Sequence, residues 1–443
     1  MRSLLSLVMA VTTAAHAQSD CWQAYAVDGF HSMALTTDGR IATWGRNEEG
    51  QLGDGSNTQK NTVSVSVAAG DWVAIASGRH LSLAKKADGS LWAWGLNYYG
   101  QLGIDNTMDQ NVPVQIGQDT DWRSLFGGSN QCFAIKEDGT LWAWGDNTEG
   151  EIGDGSGQHV HHPIQIGTDN DWRSVATGMH HEMALRNDGS LWGWGQGFGG
   201  ELGDGTGVDR TTPHHIGTDA WISIATGMNH SIGVKADGTL WATGIGVVEQ
   251  GTLVLGFTQV GTDADWASVG AGASSNFAIR TDGTLWTWGY VGDTFTTLPV
   301  QIGSDADWES VQGGSVHVMA RKTDGTLWVW GGNDQGQLGD GTFNDRALPG
   351  LVDCGAIHTG INAPVRTGAR CSVQGTHLLI SGDAVTSQAG YSIFRSDGAL
   401  MRQGGCTDIV TVVDLSGFVP GAYRVRIATG DGLLTVGSFV LWP

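Results

Sequence analysis

Seven copies of one sequence pattern constrain the fold of this chain more than any other feature. The dipeptide Asp-Gly recurs at intervals of 42 to 50 residues, and a short apolar segment such as LWAWG follows each copy. A tryptophan precedes each Asp-Gly, at residues 22, 72, 122, 172, 221, 266 and 308. Self-similarity at this period indicates a repeat architecture in which each unit is one supersecondary element.

Each repeat contains four short strand patterns. In the fourth repeat these are DWRSVATG, HHEMAL, LWGWG and PHHIG. Asp-Gly between two apolar runs predicts a tight hairpin, because glycine adopts positive φ without strain. Four short antiparallel strands repeated seven times predict an all-β seven-bladed β-propeller. The two tryptophans of LWxWG lie two residues apart and therefore face one side of their strand, so we expect them to pack between blades.

The repeated motifs G-x-x-H-S-x-A-L and DG-x-LW-x-WG-x-N-x-x-G-Q-L-G-D-G-T resemble the repeats of the regulator of chromosome condensation family. The resemblance covers Asp20 to Cys354 and implies a propeller over residues 18–354. It does not imply the guanine nucleotide exchange of the founding nuclear member, because no motif of this chain matches the exchange wedge.

The first 17 residues have the pattern of a secretory signal peptide. Arg2 precedes an apolar run from Leu4 to Val11, and the small-x-small triplet Ala15-His16-Ala17 follows. The run is shorter than the roughly 18 apolar residues that a membrane-spanning helix needs. We therefore expect a secreted protein, at the cell surface or extracellular, whose mature chain starts near Gln18.

The repeats stop at Cys354. Residues 355–365 read as a linker, and residues 366–443 alternate strand patterns with Asp-Gly and Pro-Gly turns, which is typical of a small β-sandwich. This tail resembles the type A sorting domain of the type IX secretion system, and the residues that carry the likeness are Asp414, Leu415, Pro420, Gly421 and Tyr423. The resemblance implies that the export machinery binds the tail. An ordinary sandwich used for binding is the alternative.

The charge of the main body excludes some classes of partner. The stretch from Gln18 to Asn362 holds 16 Lys and Arg against 40 Asp and Glu, a net charge of −24. Nucleic-acid affinity depends on cations that replace phosphate counterions, so we expect no binding of DNA or RNA, and anionic lipid is equally disfavoured.

The five cysteines predict two disulfide bonds in an oxidising compartment. Cys21 lies in the first strand of the first repeat and Cys354 just after the last strand of the seventh, so a bond between them would close the ring. We expect Cys371 and Cys406 to pair within the tail. Cys132 would then remain as a buried free thiol.

The acidic loops after LWxWG raise the question of a ligand site. They recur in repeats 1, 2, 3, 4 and 7 as NEEGQLGDGS and its variants, and recurrence at a fixed position indicates architecture. EF-hand spacing is absent, so calcium is the less favoured alternative. A ring of histidines near the second strand is predicted to make structural hydrogen bonds rather than bind metal, at His31, His80, His181, His230 and His317. No catalytic motif, metal ligand or cofactor is predicted.

The loop is missing from repeats 5 and 6, which leaves five contiguous loops, 7-1-2-3-4, and an open sector in a closed ring. Large side chains stand on these loops, and aromatic residues are enriched where proteins bind one another. The candidate contact residues are Tyr98, Tyr99, Glu149, Phe198 and Phe343. The alternative is that the aromatic residues pack on neighbouring loops. We expect a non-catalytic scaffold for a protein partner; a surface-glycan lectin is the second hypothesis and a polysaccharide-acting enzyme the third.

Overall fold

The structure, a computed structural model, describes residues 21–67, 71–246, 251–291 and 294–354, and beyond them strands between residues 370 and 441. All of the regular elements in these residues are strands, and none of the described residues forms a helix that could span a membrane. Residues 18–358 form one compact unit. The predicted all-β class is therefore confirmed.

Seven four-stranded antiparallel sheets follow one another along the chain, each with its strands in sequence order. The first four blades are β1–β4 (Trp22–Val27, His31–Thr36, Ile41–Gly45, Lys60–Val67), β5–β8 (Trp72–Ser77, Leu81–Lys86, Leu91–Gly95, Gln110–Ile116), β9–β12 (Trp122–Gly127, Gln131–Lys136, Leu141–Gly145, Val160–Gln165) and β13–β16 (Trp172–Thr177, His181–Arg186, Leu191–Gly195, Arg210–His215). The last three are β17–β20 (Trp221–Thr226, His230–Lys235, Leu240–Ile245, Leu253–Gln259), β21–β24 (Trp266–Ala271, Ser275–Arg280, Leu285–Val291, Thr294–Gln301) and β25–β28 (Trp308–Gly313, His317–Lys322, Leu327–Gly331, Arg346–Leu351). The predicted seven-bladed propeller is present.

The Asp-Gly motif forms the hairpin between the second and third strands of each blade. In blade 2, Gly89 has a φ of 84°, and a Cβ on it would lie 1.8 Å from the Thr120 carbonyl oxygen, so only glycine fits there. Asp88 Oδ1 accepts hydrogen bonds from the Ser90 N–H and from Ser90 Oγ, and Trp92 Nε1 donates to Ser90 Oγ at 2.9 Å. These bonds hold the pKa of Asp88 below its usual range.

A cation lies between two tryptophans at this hairpin in six of the seven blades. Lys136 Nζ is 4.8 Å from the centre of the Trp122 ring and 4.4 Å from that of Trp142, and it pairs with Asp119 and Asp121 at 2.7 and 3.1 Å. The ring faces attract the cation and the carboxylates neutralise it. The cations of blades 2 to 7 are Lys86, Lys136, Arg186, Lys235, Arg280 and Lys322.

Adjacent blades are held together by the second tryptophan of LWxWG. Trp94 is fully buried, and its Nε1 donates to the carbonyl oxygen of Gln51 in the preceding blade at 2.9 Å. Ser82 Oγ donates to the same oxygen at 2.8 Å. Equivalent bonds from Trp44, Trp144 and Trp194 reach Gln337, Gln101 and Glu151. The packing role predicted for these tryptophans is confirmed.

A disulfide bond between Cys21 and Cys354 closes the ring, as predicted. It joins residues 333 positions apart in sequence, and no strand is shared between the first and last blades, whose sheets are each built from one repeat. The Tyr25 hydroxyl also donates to Ser310 Oγ across this junction, at 2.9 Å. Cys132 is a buried free thiol, as predicted, and its Sγ donates to the Gln101 carbonyl oxygen.

Seven further strands pair beyond the propeller, in a sheet of order β29-β30-β33 and a sheet of order β32-β31-β34-β35. They are β29 Arg370–Gln374, β30 His377–Ser381, β31 Gly390–Arg395, β32 Leu400–Gly405, β33 Val410–Asp414, β34 Gly421–Thr429 and β35 Gly432–Leu441. These strands do not test the assignment to a sorting domain, which stays a prediction. The predicted leader at 1–17, the linker at 355–365 and Cys406, with its bond to Cys371, lie outside the described residues.

Candidate functional site

The long connections from third to fourth strand lie on one face of the propeller, which we call the loop face. They span residues 46–59, 96–109, 146–159, 196–209 and 332–345. In blades 5 and 6 only residues 246–252 and 292–293 separate the third strand from the fourth, and Ile245 pairs with Leu253 and Val291 with Thr294. The Gly341 amide donates to the Asn61 carbonyl oxygen, which joins the blade 7 loop to blade 1. The predicted horseshoe of five loops with an open sector is therefore present.

A buried asparagine cross-links four of the five loops, and Gly197 stands at its position in the blade 4 loop. Asn97 Nδ2 donates to the carbonyl oxygens of Asn106 and Met108 at 3.0 and 3.1 Å, and its Oδ1 accepts from the Leu102 amide at 2.9 Å. One side chain thus fixes three points of its own loop. The same arrangement recurs at Asn47, Asn147 and Asn333. A loop ordered in advance loses little entropy when it binds a partner.

Several of the recurrent aspartates make hydrogen bonds and ion pairs within the loops or with the adjacent fourth strand. Asp204 accepts from the amide and hydroxyl of Thr206, and its Oδ2 pairs with Arg210 at 2.7 Å. Lys60 and Arg346 pair in the same way with Asp54 and Asp340. Within the described ranges, no group of three or more His, Cys, Asp and Glu residues could hold a metal ion. The aspartates of this motif therefore act in loop structure.

The five candidate contact residues differ in exposure. Tyr98 is 71 % exposed, Phe198 62 % and Phe343 48 %. Tyr99 and Glu149 are half-buried. The Tyr99 ring packs edge-on against Tyr98, with centroids 4.9 Å apart, and against His159 of the next loop at 5.0 Å.

The alternative that a loop aromatic packs on a neighbouring loop is confirmed for Tyr99, whereas partner contact by the exposed rings stays a prediction. Tyr98 presents its ring to solvent, while Tyr99 supports it and packs on the neighbouring loop. Phe198 occupies the position of Tyr98 two blades further on, and Phe343 stands on the blade 7 loop. Met108, in the same loop as Tyr98, is 70 % exposed and was not among the predicted residues.

The loop face is strongly acidic. Its five loops contain 15 Asp and Glu residues and, among Lys and Arg, Arg46 alone. Three of the acids, Asp146, Glu151 and Glu201, are buried, and three more pair with Lys60, Arg210 and Arg346 at the start of the fourth strands. Arg46 is itself paired with Glu48 and Glu49. Exposed aromatic rings on an acidic surface favour a partner that offers both apolar and cationic groups.

Buried histidines connect the second strands of neighbouring blades. His31 Nε2 lies 2.9 Å from Ser82 Oγ, and His317 Nε2 lies 2.8 Å from Ser32 Oγ. His181 and His230 make the equivalent bonds to Ser231 and Asn276. The predicted hydrogen-bonding role is confirmed for these four. His80 lies one position earlier and faces Glu49 instead, with Nδ1 and Oε1 3.6 Å apart.

The first strands of all seven blades line a central cavity of about 480 Å³. Most of its wall is aliphatic or small, but Asp28 and Arg79 bring opposite charges to the rim, at the turns between first and second strands. Sequence reasoning missed both residues. Alignment of the seven repeats contains the signal, because Asp28 stands where the other six have glycine.

Comparison with known proteins identifies the same architecture. The sequence model of the RCC1-like domain matches residues 10–259, and two models of the regulator of chromosome condensation (RCC1) repeat match residues 324–361 and 308–337. No curated protein matches the chain by sequence.

Solved structures match the fold at low sequence identity. Human WBSCR16 has a TM-score of 0.65 and 20% identity, and the match covers 71% of this chain and 94% of that one. Prp20p from Saccharomyces cerevisiae has the same TM-score and identity over 79% of this chain and 91% of its own. At this identity the likeness shows the fold alone.

Proposed function

Because the chain belongs to the RCC1-like domain family, we propose that it is a non-catalytic scaffold that binds a protein partner through its loop face. The observation that carries this proposal is the exposure of Tyr98, Met108 and Phe343 on loops that a buried asparagine holds in place, together with Phe198 on the blade 4 loop. Large side chains that remain in solvent on an ordered framework are typical anchors of protein interfaces.

The family's fold supports this class of function without naming the partner. Yeast Prp20p is described by its binding to Gsp1p and histones, and it has been solved with Kap60 bound. Those partners are not transferred to this chain. With exposed carboxylates such as Glu48, Asp105 and Asp154 on its loops, the loop face favours a partner with basic side chains, and we propose neither nucleic-acid binding nor guanine nucleotide exchange.

The test is affinity capture with the full mature chain and with matched variants. Tyr98→Ala combined with Phe198→Ala removes two exposed rings, and we expect about tenfold or greater loss of the captured partner. Leu348→Ala is the control, because Leu348 is 70 % exposed on the last strand of blade 7, outside the loops. Equal capture by all variants, or glycan binding that disappears with Tyr98, would contradict a protein partner on this face.

We also propose that the protein is exported and reaches the cell surface or the medium through its C-terminal tail. The apolar run Leu4–Val11 and the Ala15-His16-Ala17 triplet support a leader, and the disulfide between Cys21 and Cys354 suits an oxidising compartment. Deletion of 366–443 should retain the protein in the periplasm, which cell fractionation and immunoblotting would detect. Unchanged surface display or release would show that the tail is not a sorting domain.

A further inference from the structure

The central cavity contains an asymmetry that the loop face does not explain. Asp28 occupies a position that is glycine in the other six repeats. In two of those repeats, a Cβ at Gly78 or Gly314 would lie 2.2 or 2.1 Å from a backbone oxygen of the next blade. Blade 1 keeps this close approach one residue later, since a Cβ at Gly29 would lie 2.0 Å from the Arg79 carbonyl oxygen, and Asp28 adds a carboxylate to the cavity rim.

Arg79, on the neighbouring turn of blade 2, brings the opposite charge to the same rim. Residues 129, 179, 228, 273 and 315 occupy its position in blades 3 to 7 and are Ser, Met, Met, Ala and Ser. Within the part of the chain that the structure describes, Asp28 and Arg79 form no ion pair with each other or with another side chain. Arg79 Nε is buried and has no hydrogen-bond partner there.

Asp28 and Arg79 are half-buried, line one cavity and form no ion pair with a described residue, so each remains able to pair with an opposite charge on a ligand. Burial raises the pKa of Asp28 to about 7, and the nearby Arg79 only partly offsets that rise. A ligand that carries both a cation and an anion would satisfy both residues at once. A purely anionic ligand would face Asp28 and an acidic body, while a purely cationic one would face Arg79.

The rest of the cavity has both polar and apolar surface, and its apolar part is of limited size. Met179 and Met228 lie on the turns of blades 4 and 5, and aliphatic side chains such as Leu125 and Val175 line the wall. Methionine adapts its shape to different apolar groups. A volume of about 480 Å³ is within the range of small-molecule pockets and too small for a folded segment.

We propose that the central cavity binds a small zwitterion of the amino-acid or dipeptide class, with its carboxylate on Arg79 and its ammonium group on Asp28. The apolar side chain of the ligand lies toward Met179 and Met228. The turns that carry Asp28 and Arg79 lie at the same ends of the blades as the loop face, but the site shares no residue with the exposed rings, and the proposal does not depend on the protein partner proposed above.

Isothermal titration of the full mature chain with L-leucine and with glycyl-leucine tests the site. N-acetyl-leucine and leucinamide serve as probes that each lack one charge. We expect at least one of the two zwitterions to bind at concentrations up to about 10 mM, and both single-charge probes to bind about tenfold or more weakly. No saturable binding of either zwitterion, or equal binding of the blocked probes, would overturn the proposal.

Asp28→Asn and Arg79→Gln should each reduce the affinity about tenfold or more, while Arg173→Gln, an exposed arginine elsewhere, should leave it unchanged. Far-ultraviolet circular dichroism and Tm confirm folding of each variant. The affinity of the wild-type chain should fall as pH drops through about 7, because protonated Asp28 no longer attracts the ammonium group. Variants that are folded and bind as the wild type does, or a pH dependence that persists in Asp28→Asn, would refute the assignment.

Discussion

Glu182 lies in the second strand of blade 4, where blades 1, 2 and 5 have serine. Each serine accepts from the preceding blade and donates to a loop carbonyl, as Ser82 does with His31 and Gln51. Glu182 Oε1 accepts from Gln131 Nε2 at 2.6 Å, but its Oε2 is buried without a partner. Burial raises the pKa of Glu182 well above its usual value, with a smaller contribution from the nearby Glu151 carboxylate. A neutral acid at this position keeps the hydrogen-bonding capacity of serine.

Glu182→Gln should therefore stabilise the protein relative to wild type as pH rises. The unfolded state releases the Glu182 proton near pH 4.5 and the folded state at a higher pH, so wild-type stability falls with pH between those values. The expected gain for the variant is about 1.4 kcal/mol per pH unit over that window. Urea unfolding at several pH values measures it, with Glu149→Gln as the half-buried control; identical pH profiles for wild type and Glu182→Gln would contradict a protonated Glu182.

The buried histidines have the opposite pH dependence. Burial lowers the pKa of His31, His181 and His317 to about 3 and that of His230 to about 4. Their contribution to stability is complete above the unfolded value near 6.5 and is lost as pH falls toward those folded values. For each histidine, we expect the free energy of unfolding to fall by about 1.4 kcal/mol per pH unit as pH decreases through that window. His31→Gln introduces the residue that blade 3 has at this position, Gln131. The variant should lose less free energy of unfolding than the wild type as pH falls below about 6.5, measured by urea denaturation. An unchanged slope would show that His31 titrates normally.

The hairpin element depends on the cation between its tryptophans. Lys136→Ala removes the charge from between the Trp122 and Trp142 rings and leaves Asp119 and Asp121 unpaired. We expect a loss of about 1–3 kcal/mol in the free energy of unfolding, measured by urea denaturation. Lys136→Arg is the matched control, because blades 4 and 6 use arginine at this position. Equal loss in both variants would show that the positive charge is not what stabilises the hairpin.

For the elements of each blade, the sequence predicts strands and turns better than it predicts contacts between side chains. Asp88-Gly89 predicts its hairpin because the local turn needs glycine, and no distant residue alters that requirement. The stacking of Lys136 between Trp122 and Trp142 could not be predicted in the same way, because three separate strands build it and Thr36 interrupts the pattern in blade 1. Tyr98 and Tyr99 are adjacent in sequence, and only the position of the next loop makes one exposed and the other half-buried.

Closure of the ring involves the whole propeller, because it joins the first blade to the last. The repeat count predicts seven blades, and the positions of Cys21 and Cys354 predict the bond that joins the last to the first. The role of Asp28 in a candidate site was not predicted. Its replacement of a glycine becomes informative only once the fold shows that Arg79 of the next blade lines the same cavity. The sequence therefore shows which repeat differs from the others, but only the closed ring shows which residues of other blades lie near the difference.

Removing the disulfide should destabilise the entire propeller. Cys21→Ser with Cys354→Ser opens a loop of 333 residues, for which chain entropy sets an upper limit of about 5–6 kcal/mol. Loss of several degrees in Tm and a lower urea midpoint are expected. Cys132→Ser is the control, since Ser82 at the equivalent position of blade 2 donates to the same kind of carbonyl. A double variant as stable as wild type would show that side-chain contacts such as Tyr25 to Ser310 close the ring unaided.

The central claim is that the loop face binds a protein, and site-specific photo-crosslinking tests it most directly. A photo-reactive amino acid replaces Tyr98 in the full chain, or replaces Leu348 in the control, and the proteins are irradiated in their native cells and their adducts identified by mass spectrometry. One protein that crosslinks from position 98 and not from position 348 is the predicted result. Crosslinking from position 348 alone, or no protein adduct at position 98 when the control chemistry works, would contradict the claim.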